Sequence, residues 1–542
     1  MATVAKLRLT NAAEGPGRAP RNARVAATFL LLALAGCTAG PRGDENSATD
    51  MTRGPATAAA LPVLHREDML WLDRVTFGVD SVSVAAYRQL GRERFLDREL
   101  SSSDAALPAP IAAQIDALDV GRADPLQSLA AINAQRKAIN ALPDGPDREQ
   151  ARKTLNEQGN KLAYQAIRRE LLRAVYSPRQ LQEQMVWFWL NHFSVYQQKA
   201  DIRWLVGDYE ERAIRPHALG RFQDLLLATL EHPAMLQYLD NNQNAAGHIN
   251  ENYARELLEL HTLGVDAGYT QQDVQQLALV LTGVGVNAGG NPKLKPEWQR
   301  LYRRNGAFEF NPARHDFARK TFLGHPIAGA GFGEVEEAVA LIVHQSACAR
   351  FISRELATYF IADDPPPRLV QRMAQTFART DGDIAAVLRT MFQARELSSA
   401  FGVKFKDPLR FVVSAVRFAY DGRPVIRNTH PLLNWLNGLG EAPFGHATPD
   451  GYPLTEVNWA SSGQMSRRFE IARSIGSGNA GLLDPEDGSP ATTSAFPQLS
   501  NRLYFEAIEP FLAGRTREAL NRANSQQEWN TFLLSSPEFS YE

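Results

Sequence analysis

A mainly α fold, one large multi-helical domain with a small β-hairpin, is predicted by three features of the 542-residue chain. Apolar residues recur at helical spacing through long segments. Capping residues mark where helices start and stop. Runs with the two-residue alternation of a strand are short and rare.

In chain order, residues 69–78 form a short helix stopped by Gly78. Residues 125–176 are helical and charged, broken by Leu142, Pro143, Asp144, Gly145 and Pro146, which predicts a helical hairpin. Ser177, Pro178 and Gln180 read as a capping box opening a helix over 181–196. Its stripe of Met185, Val186, Trp189, Phe193 and Tyr196 is a core face, with His192 beside it. A helix over 222–230 leads to an amide-rich loop, residues 240–250, and then to the densest polar stretch in the chain, residues 250–264. Thr270 and Asp273 cap a further helix. Residues 307–310 and 320–327, with Gly324, His325 and Pro326 as turn, suggest the hairpin. Helices follow over 334–343, 348–361, 367–376, 384–392 and 408–420. Lys404 and Lys406 make a small cationic spot ahead of the last of these.

The N-terminus reads as an export signal. Lys6, Arg8, Arg18, Arg21 and Arg24 precede an apolar run over 25–35, too short for a mature membrane helix. Leu34, Ala35, Gly36 and Cys37 then resemble a bacterial lipobox, with Cys37 as the acylated residue. Residues 1–36 are thus expected to be a lipoprotein signal peptide and 37–60 a flexible tether to the membrane. Thr38, rather than Asp, fits sorting to the outer membrane of a Gram-negative cell. A folded domain is expected over 61–540, with a candidate sub-division near residue 300. Without residues 1–36 the chain holds 53 Lys and Arg against 59 Asp and Glu, a formal charge of −6. A mildly acidic chain with no basic run excludes nucleic acid as a partner. The other cysteine, Cys348, sits in an apolar helical pattern and reads as a small buried hydrophobe, so no internal disulfide is expected.

Chemistry is concentrated in residues 250–264. At about 100° per residue, Asn252, Arg255, Glu256 and Glu259 share one face. Tyr253, Leu257, Leu260 and Gly264 share the other, with His261 at its margin. Two readings stay open. In one, Glu256 and Glu259 supply carboxylate chemistry, Arg255 holds an anionic group, and His192, His261 or His315 moves a proton. Asp240, Asn241, Asn252 and Tyr253 then contribute binding contacts at the helix start. In the other, Arg255 pairs with Glu251 or Glu259 and the histidines are core residues. Glu256 and His261 are five apart and do not make the two-histidine helix of a zinc protease. His315 with Asp316 is a weak candidate metal pair. No nucleophile elbow, phosphate-binding loop or dinucleotide fingerprint is present, so no cofactor is named.

Several of these segments resemble one family. Trp187-Phe188-Trp189-Leu190-Asn191-His192-Phe193, the run over 251–264, Gly268-Tyr269-Thr270, His315-Asp316 with residues 320–324, residues 351–360, 381–384 and 404–408, and Gly451-Tyr452-Pro453 are similar to the bacterial DUF1800 family, in the expected order. The resemblance implies a large, exported, mostly helical protein whose partner could be another exported protein of the DUF1501 type. It assigns no catalytic residue. The expectation is an envelope lipoprotein acting as a hydrolase or lyase on a glycan or other polymer, the alternative being a non-enzymatic lipoprotein that binds a partner protein or glycan.

Overall fold

Two helices run almost wholly inside the protein and fix what surrounds them. Gln180–His192 buries Leu181, Met185, Val186, Trp187, Phe188, Trp189 and Leu190, and every residue of Pro408–Tyr420 is buried. The computed structural model describes residues 64–101, 105–490 and 495–542, with 24 α-helices and five short strands among them. Leu61–Glu542 is one compact unit. The expected signal peptide, tether and lipidation residue Cys37 lie outside the described residues.

A helix buried on all sides must satisfy any charge it carries. In Pro408–Tyr420, Arg410 donates to the Tyr359 carbonyl at 3.0 Å and to the Glu542 carboxylate, while Arg417 meets Asp80 at 2.9 Å and the Gly78 carbonyl at 3.1 Å. Lys404 and Lys406 follow the same logic. They are not the surface cationic spot their spacing suggests: each is 3% exposed, paired with Asp363 at 2.6 Å and Asp73 at 3.0 Å. Cys348 is fully buried, as its apolar setting predicts.

The helical hairpin forms as expected from Pro125–Ala141 and Pro146–Tyr176, and traps a small separate cluster of Ile132, Ile139, Leu155 and Trp204. The next helix differs from expectation at both ends. It opens at Gln180 with Arg179 as the capping residue, because Gln180 is used elsewhere. Its side chain accepts from the Phe77 amide at 3.1 Å and donates to the carbonyls of Ala174 and Ser177. It ends at His192, since Phe193 leaves helical geometry (φ −100°, ψ 53°).

The β structure also departs from the predicted pairing. β1 (Val284–Val286), β2 (Arg303–Asn305) and β3 (Phe308–Phe310) form an antiparallel sheet in the order β1-β3-β2. β4 (Thr321–Phe322) and β5 (His325–Pro326) form a separate hairpin. Its turn is Leu323 and Gly324, both left-handed (φ 49° and 78°), so His325 and Pro326 are strand residues.

Three side-chain amides of the 240–250 loop donate to backbone carbonyls. Asn241, 1% exposed, donates to the carbonyls of Val284 at 2.9 Å and Leu281 at 3.3 Å. Asn244 donates to Ala278 at 2.8 Å and Asn250 to Asp240 at 3.3 Å. These bonds satisfy carbonyls that an irregular buried segment leaves without partners. Asn241→Ala is therefore expected to lower the unfolding free energy by about 1–3 kcal/mol, read from chemical denaturation, by orphaning two buried carbonyls.

Candidate active site

The helix that carries the sequence candidates runs Asn252–Glu259, shorter than the polar stretch suggests. Beyond Glu259 the chain widens: the His261 amide reaches Glu256 O, and the amides of Leu263 and Gly264 both reach Leu258 O. Gly264 closes the turn at φ 85°, and a Cβ there would stand 3.0 Å from the Phe351 ring. This unwinding rotates His261 inward from the margin. It is fully buried, and neither ring nitrogen has a hydrogen-bond partner among the described residues. Burial holds its pKa well below the usual histidine value, so it stays neutral and away from solvent.

The other candidates separate into two groups. Tyr253 is 1% exposed in the core, Asn252 donates to the Leu239 carbonyl, and Asp240 pairs with Lys199 at 2.8 Å. Together with the buried Asn241, these residues hold the fold at the helix start. Arg255 pairs with Glu251 at 3.1 Å, Glu259 at 3.6 Å and the Gln271 side chain at 2.9 Å. His315 and Asp316 do not act together. The ring of His315 sits between the Thr282 carbonyl at 2.7 Å and Glu334 at 3.2 Å, while Asp316 caps the Ala318 amide. Among the described residues no group of three or more His, Cys, Asp or Glu is arranged to hold a metal ion.

Glu259 and His192, by contrast, meet in a cleft of about 240 Å³. One wall is the C-terminal end of Gln180–His192, giving Phe188, Asn191 and His192. A second is the end of Asn252–Glu259, giving Glu259 and Leu260. A third is the helix Ser346–Phe360, giving Phe351 and Glu355, and the rim is Asp450, Tyr452 and Leu454. The rim is clasped by Asn191, whose amide donates to the Tyr452 carbonyl at 2.9 Å and accepts from the Tyr452 amide at 2.6 Å. The clasp requires a glycine beside it: a Cβ on Gly451, at φ 70°, would lie 2.2 Å from Asn191 O.

Two carboxyl groups of the cleft are driven apart. Glu355 has no hydrogen bond or ion pair among the described residues, and its surroundings include Phe188, Phe351 and Leu454. Burial pushes it up to about 7. Asp450 also feels burial, but Thr448 and His446, the latter at 3.1 Å, hydrogen-bond its carboxylate and hold it below the usual range. Beside the cleft, Glu256 is half-buried and raised, first by burial and then by repulsion from Glu259. His192 is 8% exposed, and its Nε2 lies 2.9 Å from the His261 carbonyl. A carbonyl only accepts, so Nε2 carries the proton and Nδ1 keeps its lone pair, with no partner among the described residues.

Glu355 and Asp450 were absent from the sequence candidates. Glu355 had a signal: it lies four residues from Phe351 and four from Tyr359, an acid on the apolar face of its helix. Asp450 had none, because it belongs to a loop.

Four of the segments that carry the family resemblance thus meet here, with Phe188, Asn191 and His192, Glu259 and Leu260, Phe351 and Glu355, and Tyr452 around one space. A model of the family described as "Protein of unknown function (DUF1800)" matches residues 70–541. The chain belongs to the DUF1800 family. No curated protein and no solved structure matches it. In this DUF1800 protein the cleft brings titratable groups, apolar walls and family segments together.

Burial pushes the His192 imidazole down to about 4. The unfolded chain takes up the proton near 6.5, so this group costs stability progressively as pH falls from about 6.5 toward 4. Nitrogen-15 NMR is expected to find His192 neutral, with hydrogen on Nε2, throughout pH 5–8. A protonated ring at pH 6 would contradict the assignment.

Proposed function

We propose that the protein is a hydrolase cleaving glycosidic bonds, with Glu355 as proton donor and Asp450 as the carboxylate that activates water or attacks the sugar. The observation that carries this reading is the opposed state of the two carboxyls within one cleft. Glycoside hydrolysis needs one protonated and one ionised carboxyl flanking the scissile bond. Different surroundings are the means by which a protein provides both at neutral pH. An acid titrating at about 7 is also near the optimum for proton transfer at that pH. Elimination from a uronate is less well served. It requires the substrate carboxylate to be neutralised beside the abstracted proton, and no Lys or Arg lines the cleft. Hydrolysis is therefore preferred to the lyase chemistry considered from the sequence. Glu256 and Glu259 shape the field of the site, and His192 offers an acceptor.

The test is release of new reducing ends from a panel of glycans by the purified full-length chain. Wild type is expected to cleave at least one, with a rate that falls as pH rises through about 7, where Glu355 loses its proton. Glu355→Gln and Asp450→Asn are each expected to lower kcat by about 10²–10⁴-fold at unchanged folding. Binding without cleavage by wild type would defeat the hydrolase reading in favour of a glycan-binding protein.

We also propose that the chain is exported and lipid-anchored through Cys37, in the outer membrane. The basic leader, the short apolar run and the Leu-Ala-Gly-Cys sequence support this. In cells fed labelled palmitate, Cys37→Ser is expected to abolish incorporation and to release the protein from membrane fractions. Equal labelling of the variant would refute the anchor.

A further inference from the structure

The cleft has an unbalanced set of polar groups. Its ionisable side chains are Glu259, Glu355 and Asp450 with the neutral His192 and Tyr452, and among the described residues neither Lys nor Arg reaches its lining. Two cations stand close to it: Arg255 pairs with the cleft's own Glu259 at 3.6 Å as well as with Glu251 and Gln271, and Arg354, next to Glu355 on its helix, is largely exposed and 3.8 Å from Asp364; Lys199 is engaged with Asp240. Charge is only half of the pattern. The amide of Asn191 is engaged in both directions by the Tyr452 backbone, and the Tyr452 hydroxyl donates to Ala442 O at 2.8 Å. His192, more than nine-tenths buried, adds the unpartnered lone pair of Nδ1. The space therefore presents the carboxylates of Glu259 and Asp450 and the imidazole nitrogen as acceptors, with the protonated Glu355 carboxyl beside them as a donor.

A ligand that fits must bring donors. Peptide carbonyls, phosphates, sulfates and uronates bring acceptors and leave the cleft's own acceptors unmatched. Sugar hydroxyls donate, and a free ammonium group donates three times and carries positive charge. An N-acetyl group replaces that ammonium with one N–H and an added carbonyl acceptor. The apolar faces of Phe188, Phe351 and Leu260 suit the C–H face of a sugar ring, and the two phenyl rings also attract a cation.

We infer that the cleft takes a glycan carrying free amino groups, a glucosamine-type polymer, in preference to acetylated or acidic ones. This rests on the cleft being a glycan site, but not on cleavage, because binding alone tests it.

The experiment is calorimetric titration of the full-length chain carrying Glu355→Gln, which separates binding from turnover. The titrants are the tetramer of glucosamine, its N-acetylated form, tetragalacturonate and tetralysine. The glucosamine tetramer is expected to bind at least tenfold more tightly than each of the others and to weaken several-fold between 20 and 300 mM NaCl. Adding Glu259→Gln is expected to weaken it about fivefold or more. His192→Asn, which retains an acceptor near Nδ1, should bind more tightly than His192→Phe, with circular dichroism checking that each variant is folded. Equal or tighter binding of the acetylated, acidic or peptide tetramer would overturn the inference, as would failure of all four to bind. Should wild type prove unable to cleave while the amine preference holds, the hydrolase reading falls and this one stands.

Discussion

The amide of Asn191 joins two parts of the chain that are 261 residues apart, accepting from the Tyr452 amide and donating to its carbonyl. A side-chain amide that pairs with both backbone polar groups of one residue copies a step of β-ladder, and so fixes position and rotation together. Gly451 completes the fit by leaving room for Asn191 O. Asn191 in turn is fixed because its helix, Gln180–His192, lies in the core. Without this clasp Asp450 would be an unremarked acid on a surface loop. With it, Asp450 faces the same space as Glu355.

The buried helices and the cleft handle polar groups in opposite ways. Arg410, Arg417, Lys404 and Lys406 are each matched to carboxylates or carbonyls, which is the condition for tolerating charge inside a protein. Glu355 is left without such a partner. An acid whose burial outweighs the nearby Arg354 charge costs stability progressively as pH rises from about 4.5 to about 7. Its placement in a cleft, opposite an acid that is well stabilised, is what gives that cost a functional interpretation.

Much of the helical architecture was legible because amphipathic spacing, prolines at first helical positions and broken runs are local. Tyr253 and Leu257 are buried on the face the periodicity assigns, and the hairpin breaks where Pro143 and Pro146 stand. What failed was non-local. The amide density at 240–252 resembled a binding surface until Asn241, Asn244 and Asn252 found their partners on Val284, Ala278 and Leu239. His261 stood at the margin of an ideal helix, and moved inside because the helix unwinds after Glu259. The strands over 307–327 were placed in the right region but joined to the wrong neighbours, since pairing depends on β1, a three-residue strand. Within the cleft, His192 and Glu259 were in reach of local reasoning. Glu355 and Asp450 acquire meaning only from each other's surroundings.

Two of the helices bordering the cleft, Gln180–His192 and Asn252–Glu259, reach it with their C-terminal ends. Peptide dipoles sum along a helix to about half a negative charge at that end, shared among carbonyls that lack helical partners. Part of the negative potential is therefore written in the backbone, where no side-chain replacement can erase it. This contribution does not titrate. A medium acidic enough to discharge the carboxylates would also protonate His192, and the two helix ends would then face a cation in the same space.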